Sequence, residues 1–427
     1  MDTIFALSSG SPPAAIAIIR ISGPCAGSAL CALAGKLPPP RVAKRAIVRD
    51  ATGSELDRAL LLWFPGPGSA TGEDLAEIHA HGGRAVVRAI EAALAALPGL
   101  RRAEPGEFTR RALMNGRIDL AQAEGLADLL EAETEGQRRQ ALALAGGALS
   151  GKVADWQAQL LMLSARAEAM LDFADEDDVA ADDAEILLIN NVIEELSASW
   201  RHWLARPWAE RLRDGLTVAI AGPPNVGKST LLNALAAREA AIVSPIAGTT
   251  RDVIEVPLAL DGIPFRFADT AGLHGGTGDV IEAEGIRRAQ AWVAGADMLL
   301  WLGSPNDAPD HPHMCRIAAQ ADRVPADAGA DLALSAQTGK GMADLHRWLV
   351  DRARTLLPHE GEVALGARHR AALQAAADAL DDGAARADPL LLAESLRGAR
   401  IAIDAITGRA GTEDMLDALF GRFCIGK

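Results

Sequence analysis

Apolar and polar positions follow two different periods along the 427-residue chain. In the first third, β-rich apolar runs such as residues 16–21 and 59–64 are bounded by turn residues and predict strands. From about residue 120 to residue 173, apolar positions recur three and four residues apart, which predicts helices that each bury one face. The members of one such stripe are Val153, Trp156, Leu160, Leu163, Ala167 and Met170.

The helical pattern returns on both sides of an alternating segment. Residues 184–211 predict one further helix, and strand-like and helix-like runs then alternate over residues 213–352. Ala/Leu-rich helices follow at residues 366–380 and 390–407. These last helices are too few to form their own core, so we expect them to pack against residues 119–212. The alternating segment is therefore predicted to be inserted between two halves of one helical domain.

Residues 222–229 carry the most specific motif of the alternating segment. They read Gly-Pro-Pro-Asn-Val-Gly-Lys-Ser and lie between an apolar run and a helix-like stretch, which is the context of a phosphate-binding P-loop. In such a loop the backbone N–H groups surround an anion, Lys228 meets the β and γ phosphate oxygens, and Ser229 holds Mg²⁺. A plain glycine-rich turn is the alternative interpretation.

Two segments further along the chain favour the nucleotide interpretation. Residues 248–252 read Gly-Thr-Thr-Arg-Asp and supply hydroxyl groups for a switch segment that can reach Mg²⁺. Residues 269–272 read Asp-Thr-Ala-Gly, which puts the Asp269 carboxylate at the end of an apolar strand, where it is expected on the water shell of the ion. The three motifs occur in the order that is typical of GTPases.

The base is predicted to bind at residues 319–322, which read Ala-Gln-Ala-Asp. Asp322 can accept hydrogen bonds from the guanine N1–H and exocyclic amine. Ala319 and Gln320 replace the usual Asn and Lys, so we expect weakened guanine selectivity. The segment 335–337 resembles the loop whose backbone N–H meets the guanine oxygen. We therefore predict GTP, with ATP as the alternative if Asp322 does not contact the base. The predicted nucleotide-site residues are Asn225, Val226, Gly227, Lys228, Ser229, Thr230, Ser244, Thr249, Thr250, Asp269, Thr270, Ala271, Gly272, Asp322, Ser335 and Ala336.

Hydrolysis requires an oriented water molecule and neutralisation of the charge on the β–γ bridge. Leu273 stands where Ras-like enzymes carry Gln, and its side chain can do neither. Glu282 is a candidate for orienting the water, with an exposed switch-helix carboxylate as the alternative. Asn225 offers a carbonyl beside the phosphates, where a monovalent cation could replace an arginine finger, and residues 244–249 could add backbone oxygens. The predicted catalytic residues are Glu282, Lys228 and Asp269.

Composition and charge narrow the class of protein. The formal charge of −15 argues against a generic nucleic-acid-binding protein. Residues 1–118 hold 14 Lys/Arg and 10 Asp/Glu, a net of +4, so an RNA is expected to dock there or through a partner protein. The cysteines have no metal-ligand spacing and are expected to be reduced thiols. Neither a signal peptide nor a membrane-spanning run is evident, so we predict a cytoplasmic protein.

Three polar features outside the P-loop segment have competing interpretations. Arg20 interrupts an apolar strand, and a salt bridge is favoured over contact with an anionic ligand. His79 and His81 would point to the same face of a strand, and polar packing is favoured over a shared metal ion. The acidic residues of 172–183 lack the EF-hand pattern, so a solvated loop is favoured over a calcium site.

Several motifs together resemble those of one family, the tRNA wobble-uridine modification GTPases called MnmE or TrmE. Besides the GTPase motifs, they are found at residues 18–23, 71–74, 77–83, 104–109 and 115–124, and in the terminal Phe-Cys-Ile-Gly-Lys of 423–427. The resemblance covers the whole chain. It implies a multidomain α/β plus all-α fold: an N-terminal α+β folate-binding and dimerisation domain (1–118), a helical bundle domain (119–212 and 353–427) and an inserted Ras-like P-loop GTPase (G) domain (213–352).

The same resemblance implies ligands for particular residues. Arg20, Glu77, Arg117 and Lys427 match positions that contact a tetrahydrofolate derivative, 5,10-methylene- or 5-formyl-tetrahydrofolate. By this resemblance Asn225, Ser244, Ile246 and Thr249 bind K⁺, Ser229 and Thr250 hold Mg²⁺, and Glu282 orients the water. Cys424 is interpreted either as a nucleophile or as a buried tail cysteine.

The implied protein is a homodimeric, K⁺-activated GTPase of the cytoplasm. With the FAD-dependent partner MnmG (GidA), in a heterotetramer, it would modify C5 of the wobble uridine 34 of tRNA with a carboxymethylaminomethyl or aminomethyl group. The alternative is an RNA-binding ribosome-assembly GTPase without covalent modification chemistry. That alternative would need an RNA-binding domain, such as a KH fold, after the GTPase domain, where this sequence predicts helices.

Overall fold

The structure is a computed structural model that divides into two compact units. The residues that it describes are 2–172, 183–238, 255–269, 292–323, 329–359, 362–381, 388–408, 416, 419–421, 423 and 425–426. Unit 1 comprises Met1–Ala127, Ala145–Gln157 and Ile403–Lys427, and unit 2 comprises Asp128–Leu144 and Ala158–Ala402. Unit 1 therefore combines the first third of the chain with its last residues.

Unit 1 contains a six-stranded sheet with the order β3-β4-β5-β2-β1-β6. Its strands are β1 (Thr3–Leu7), β2 (Ile16–Ser22), β3 (Lys44–Arg49), β4 (Glu55–Phe64), β5 (Leu75–His81) and β6 (Leu100–Arg102). All neighbours are antiparallel except β1 and β6, which are parallel. Three helices accompany the sheet, namely α1 (Ala26–Ala34), α2 (Arg84–Ala95) and α3 (Glu107–Met114). The two strands predicted at 16–21 and 59–64 are confirmed as β2 and the second half of β4.

The two faces of this sheet differ because successive strand residues point to opposite sides. One face packs Ile19, Leu61 and Ile78 into a core with Leu30 of α1 and Ile90 of α2. On the other face, Ile4 and Ala6 of β1 pack with Ala103 and with Phe108 of α3. Next to this small cluster, the same face carries polar side chains on β2 and β5.

The helical pattern of the middle of the chain is confirmed with one correction. The helices are α4 (Leu120–Glu131), α5 (Glu135–Ala145), α6 (Ala148–Asp172), α7 (Asp183–Ala205) and α8 (Ala209–Arg213). In α6, the predicted apolar stripe is buried apart from Met170, which is half-buried. The single helix predicted over residues 184–211 is wrong, because the chain leaves the helix between Ala205 and Ala209. Pro207 explains the break, since proline lacks an N–H and disfavours helical backbone at the preceding residue.

Unit 2 contains the second six-stranded sheet, with the order β12-β11-β10-β7-β9-β8. Its strands are β7 (Leu216–Ala221), β8 (Glu255–Leu260), β9 (Ile263–Asp269), β10 (Met298–Trp301), β11 (Met314–Ala318) and β12 (Leu332–Ala333). Only β8 runs antiparallel to its neighbour. Val218 and Ile220 of β7 share a core with Leu231 of α9 (Lys228–Arg238) and Leu349 of α10 (Met342–Leu356). This is the doubly wound arrangement of a Ras-like domain, whose ligands bind at the carboxyl ends of the strands.

Two helices follow, α11 (Ala367–Leu380) and α12 (Pro389–Thr407). Helix α11 packs against α7, so helices from before and after the parallel sheet meet within unit 2. The fold is thus mixed: an α+β sheet domain, a set of helices and a P-loop α/β domain. No helix among the described residues has the length and apolar character needed to cross a membrane.

Candidate functional site

The loop between β7 and α9 has the backbone geometry of a P-loop. Gly222 has φ +149°, and a Cβ there would lie 3.0 Å from the carbonyl carbon and oxygen of Leu302. Gly227 has φ +103°, and Asn225 between them has φ +61°. Backbone in this region favours glycine, with asparagine the residue that most readily replaces it. The sequence therefore supplies the turn residues that a tight anion-binding loop requires.

Lys228 opens helix α9 and is buried although it carries a charge. Its Nζ donates hydrogen bonds to the carbonyl oxygens of Gly222 and Pro223, each at 2.8 Å. These contacts hold the ammonium over the loop, because a buried cation needs acceptors. Ser229 and Thr230 follow on the exposed side of the first helical turn.

Strand pairing brings the two predicted phosphate motifs together. In the parallel pair of β7 and β9, Ile220 lies opposite Asp269, so β9 ends beside the start of the P-loop. A serine hydroxyl, which Ser229 supplies here, is one of the hard oxygen ligands that Mg²⁺ prefers. Eight further predicted site residues lie outside the described residues: Ser244, Ile246, Thr249, Thr250, Thr270, Ala271, Gly272 and Glu282.

Asp322 lies beside a cleft at the carboxyl ends of β11 and β12. We call it the Asp322 cleft; its lining includes Val226, Gly227, Thr230, Asp322, Arg323, Ser335, Ala336 and Gln337. A hydrogen bond with the Ser335 side chain, followed by backbone contacts and the charge of Arg323, lowers the pKa of Asp322. The carboxylate is therefore ionised at neutral pH, as an acceptor for a base N–H must be.

The loop after β12 is held by its own hydrogen bonds. Ser335 is buried, its N–H donates to the carbonyl of Lys340 at 2.9 Å, and its carbonyl accepts from the N–H of Gly339 at 2.9 Å. The N–H of Ala321 donates to the carbonyl of Leu334 at 3.0 Å, which joins the 319–322 segment to this loop. The structure thus brings the predicted base residues and the P-loop to one cleft.

Arg20 forms the salt bridge that the sequence favoured. Its Nη2 lies 2.9 Å from Glu77 Oε1, and its guanidinium lies 5.8 Å from the ring centre of Phe108. His79 Nε2 donates to the other oxygen of Glu77 at 3.0 Å. Burial alone would raise the pKa of Glu77, but His79 and Arg20 hold it below its ordinary value. Arg20 keeps 27% of its side chain exposed, so the paired cation remains open to a ligand.

The two histidines have separate polar partners. His81 Nδ1 lies 2.7 Å from Asp57 Oδ1, whereas His79 pairs with Glu77. In the part of the chain that the structure describes, no group of three potential metal ligands comes together. The contacts with Glu77 and Asp57 are of the kind that the polar-packing interpretation predicts.

Arg117 lies beside the loop of residues 71–74. A Cβ on Gly72 would lie 3.2 Å from Arg117 Cγ, and Asn115 Nδ2 donates to the Thr71 carbonyl at 2.7 Å. Arg117 is exposed. Lys427 and Cys424, the tail residues singled out in the sequence, lie outside the described residues, as does most of the acidic segment 172–183.

An ion network around the buried Arg111, next to this loop, was not predicted. Arg111 Nη1 donates to Glu73 Oε2 at 3.0 Å, and Nη2 donates to Asp2 Oδ1 at 2.8 Å and to Glu107 Oε1 at 3.0 Å. Glu73 also accepts from Ser22 Oγ at 2.8 Å, which fixes the loop to β2. The spacing of Glu107 and Arg111, four residues apart on a helix, was the available signal for one of these pairs.

Comparisons with known proteins cover the whole chain. The family model described as GTP-binding protein TrmE N-terminus matches residues 3–117, and the MnmE helical domain matches residues 120–424. A protein of Sphingopyxis alaskensis named tRNA modification GTPase MnmE is 62% identical over 419 residues, which are 96% of this chain and 100% of its own length. One of the same name from Rhizorhabdus wittichii is 61% identical over 100% of this chain and 97% of its own. Among solved structures, the G domain of the T. maritima FeoB iron transporter covers 32% of this chain and 98% of its own, at 22% identity and a TM-score of 0.24.

Proposed function

Because the chain belongs to the MnmE (TrmE) family of tRNA modification GTPases, we propose that it hydrolyses GTP by a K⁺-activated mechanism centred on Asn225. It is an enzyme that hydrolyses GTP in tRNA modification. The observation that carries the mechanistic proposal is the left-handed backbone of Asn225 at an exposed position in the P-loop. An exposed amide carbonyl there can face a cation next to the phosphates, and Ser244, Ile246 and Thr249 would complete its ligands.

The other residues of the site have roles that their chemistry supports. Ser229 and Thr250 would hold Mg²⁺, which neutralises charge on the phosphates. Lys228, now bonded to two loop carbonyls, would pair with phosphate oxygens that replace them. Asp269 would bind water on the metal. Glu282 would orient the attacking water, a task that Leu273 cannot perform.

The base is proposed to be guanine, bound at Asp322 with the backbone of Ser335 and Ala336. The ionised carboxylate of Asp322 and its position beside Val226 and Thr230 support this placement. A guanine ring there can donate N1–H and its amine to one carboxylate. Adenine has an acceptor at N1, so in the same position it would set a lone pair against the carboxylate in place of the guanine donor.

We further propose a folate site in an N-terminal domain of residues 1–118, with Arg20, Glu77, Arg117 and Lys427 as contacts. The exposed part of the Arg20 guanidinium, fixed by Glu77 and Phe108, supports recognition of an anionic ligand. The ligand would be 5,10-methylene- or 5-formyl-tetrahydrofolate.

The helical domain would consist of residues 119–212 and 353–427, and the G domain of residues 213–352.

The same sheet supports a homodimer. On the face opposite α1 and α2, Ile16, Ile47 and Leu60 are exposed at 58, 36 and 46%. Strand pairing places them on one surface with His79 and Arg20. An exposed apolar surface of this kind is typical of a protein interface.

With the FAD-dependent protein MnmG, the dimer would modify C5 of uridine 34 of tRNA in the cytoplasm.

The test is GTP hydrolysis in matched KCl and NaCl. We expect the rate of the wild type to be at least tenfold higher in KCl than in NaCl. Asn225→Gly, which keeps φ +61° without strain, should lose this stimulation by K⁺. Glu282→Ala should lose GTP hydrolysis in both salts. Asn191→Ala, at an exposed position of α7, is the matched control and should keep the wild-type response. Equal rates in the two salts, or full K⁺ stimulation of Asn225→Gly, would overturn the mechanism.

A further inference from the structure

The Asp322 cleft lacks two groups that usually hold a guanine base. The Ala319 methyl group cannot form a hydrogen bond, and Gln320 carries no charge. Gln320 is exposed and has φ +58°, within a turn closed by the N–H of Arg323 donating to its carbonyl at 2.8 Å. A base bound beside Asp322 therefore needs another group to cover its open face.

Arg323 is a cationic residue in the lining of the Asp322 cleft. Its Nη2 donates to Gln337 Oε1 at 3.2 Å, and its Nε lies 3.5 Å from Asp322 Oδ2. The first contact joins Arg323 to the loop after β12, and the second lies within the loop after β11. The guanidinium thus bridges the two loops between which the base is proposed to lie.

We propose that Arg323 covers the nucleotide base in the Asp322 cleft, in the place of the lysine that Gln320 replaces. This inference rests on the proposed placement of the base beside Asp322. A guanidinium is planar and weakly hydrated, so it stacks on aromatic rings. The Arg323 side chain is 64% exposed, which leaves a face for the base, while Gln337 and Asp322 fix the plane by its edge.

Stacking and hydrogen bonding have different consequences for selectivity. Every purine has a π-face, so stacking on Arg323 strengthens binding of all purines by a similar factor. Asp322 instead distinguishes guanine from hypoxanthine, because hypoxanthine lacks the exocyclic amine. Arg323 is therefore a determinant of affinity, and Asp322 is a determinant of base identity.

The experiment is titration calorimetry of the full chain with GDP and inosine diphosphate in the presence of Mg²⁺. Arg323→Ala should raise both dissociation constants about tenfold and leave their ratio unchanged. Adding Gln320→Lys to this variant should restore most of the affinity, because it returns the usual lysine. Arg347→Ala, an exposed arginine paired with Asp344 on α10, is the matched control and should bind as the wild type.

Three results would overturn the inference. GDP affinity that is unchanged or higher in Arg323→Ala would show that Arg323 does not cover the base. A loss for GDP without a loss for inosine diphosphate would show that it acts only through Asp322. A double variant no tighter than Arg323→Ala would exclude a shared role with position 320.

Failure of the base site itself has a separate readout. Asp322→Asn should shift preference from guanosine toward xanthosine diphosphate, because the amide can donate to the xanthine C2 carbonyl. An unchanged preference would place the base elsewhere. A shifted preference with an unaffected Arg323→Ala would reject the Arg323 inference alone.

Discussion

At the scale of single residues, charge inside unit 1 is placed where it can be paired. Arg111 donates to three carboxylates, of which Glu73 and Glu107 are each 11% exposed. Burial alone would raise the pKa of Glu107, but Arg101, the backbone of Glu104 and Arg111 hold it below its ordinary value. A carboxylate in this state stabilises the fold above its unfolded pKa of about 4.3, and this contribution is lost as the pH falls through the folded value.

Replacing the central cation of this network should be costly at neutral pH. We expect Arg111→Met to lower the free energy of unfolding by about 3 kcal/mol at pH 7, because the buried Glu73 loses this cation and Glu107 keeps only Arg101. The loss should shrink near pH 4, since protonation removes the uncompensated charge. Urea unfolding at both values checks this, with Arg88→Met at an exposed site of α2 as the control. A loss that does not change with pH would contradict the assignment.

At the scale of secondary-structure elements, one carboxylate fastens α8 to the sheet of unit 2. Asp297 Oδ2 accepts from the N–H and hydroxyl of Thr217 at 3.0 and 2.9 Å, and Oδ1 accepts from Arg211 Nε at 2.8 Å. Thr217 lies near the amino end of β7, whereas the P-loop follows its carboxyl end. The contact therefore positions the chain entering the sheet without touching the nucleotide site.

Asp297→Asn tests how much these hydrogen bonds contribute to stability. The amide keeps the shape but turns one acceptor into a donor facing donors, so we expect a loss of about 2 kcal/mol in the free energy of unfolding. The dissociation constant for GDP should stay within about twofold, because the P-loop lies at the opposite strand ends. Asp351→Asn, on the exposed side of α10, is the control. Weakened GDP binding at unchanged stability would refute this separation.

The local elements were largely predictable, and the contacts between distant ones were not. The P-loop could be located because its two glycines, its lysine and its serine stand at fixed spacings within residues 222–229. The apolar stripe of α6 followed from its spacing. The break at Pro207 was missed because the apolar pattern continued past a residue that ends helices. The pairing of β1 with β6 and the contacts of Asp2 and Glu73 with Arg111 join residues far apart in sequence, which no local pattern encodes.

At the scale of the whole molecule, unit 1 is closed by the last residues of the chain. Phe420 and Phe423 are buried with Leu120, Ala123 and Ala127. Ile425 pairs with Pro105, and a Cβ on Gly426, which has φ +101°, would lie 2.0 Å from the Leu7 carbonyl oxygen. The nucleotide cleft belongs to unit 2, so damage to this closure should spare it.

Phe423→Ala measures how much the closure contributes. Removing a buried phenyl ring should lower the stability of unit 1 by about 3 kcal/mol. GDP affinity should not change. Ile425→Ala removes a neighbouring side chain that is 58% exposed and serves as the control. Thermal unfolding with and without GDP separates the two units, and equal losses in the two variants would argue against a buried role for Phe423.

This closure sets an order of events during synthesis. The first 127 residues leave the ribosome early, but Phe420 and Phe423, which complete their packing, are synthesised only after unit 2. At about 5–20 residues per second, the nascent N-terminal sheet lacks this C-terminal packing for roughly 15–60 s. Throughout that interval Leu120 and Ala123 have no aromatic cover, so the growing chain is exposed to chaperones and to misassembly at its N-terminal end, although unit 2 can fold ahead of it.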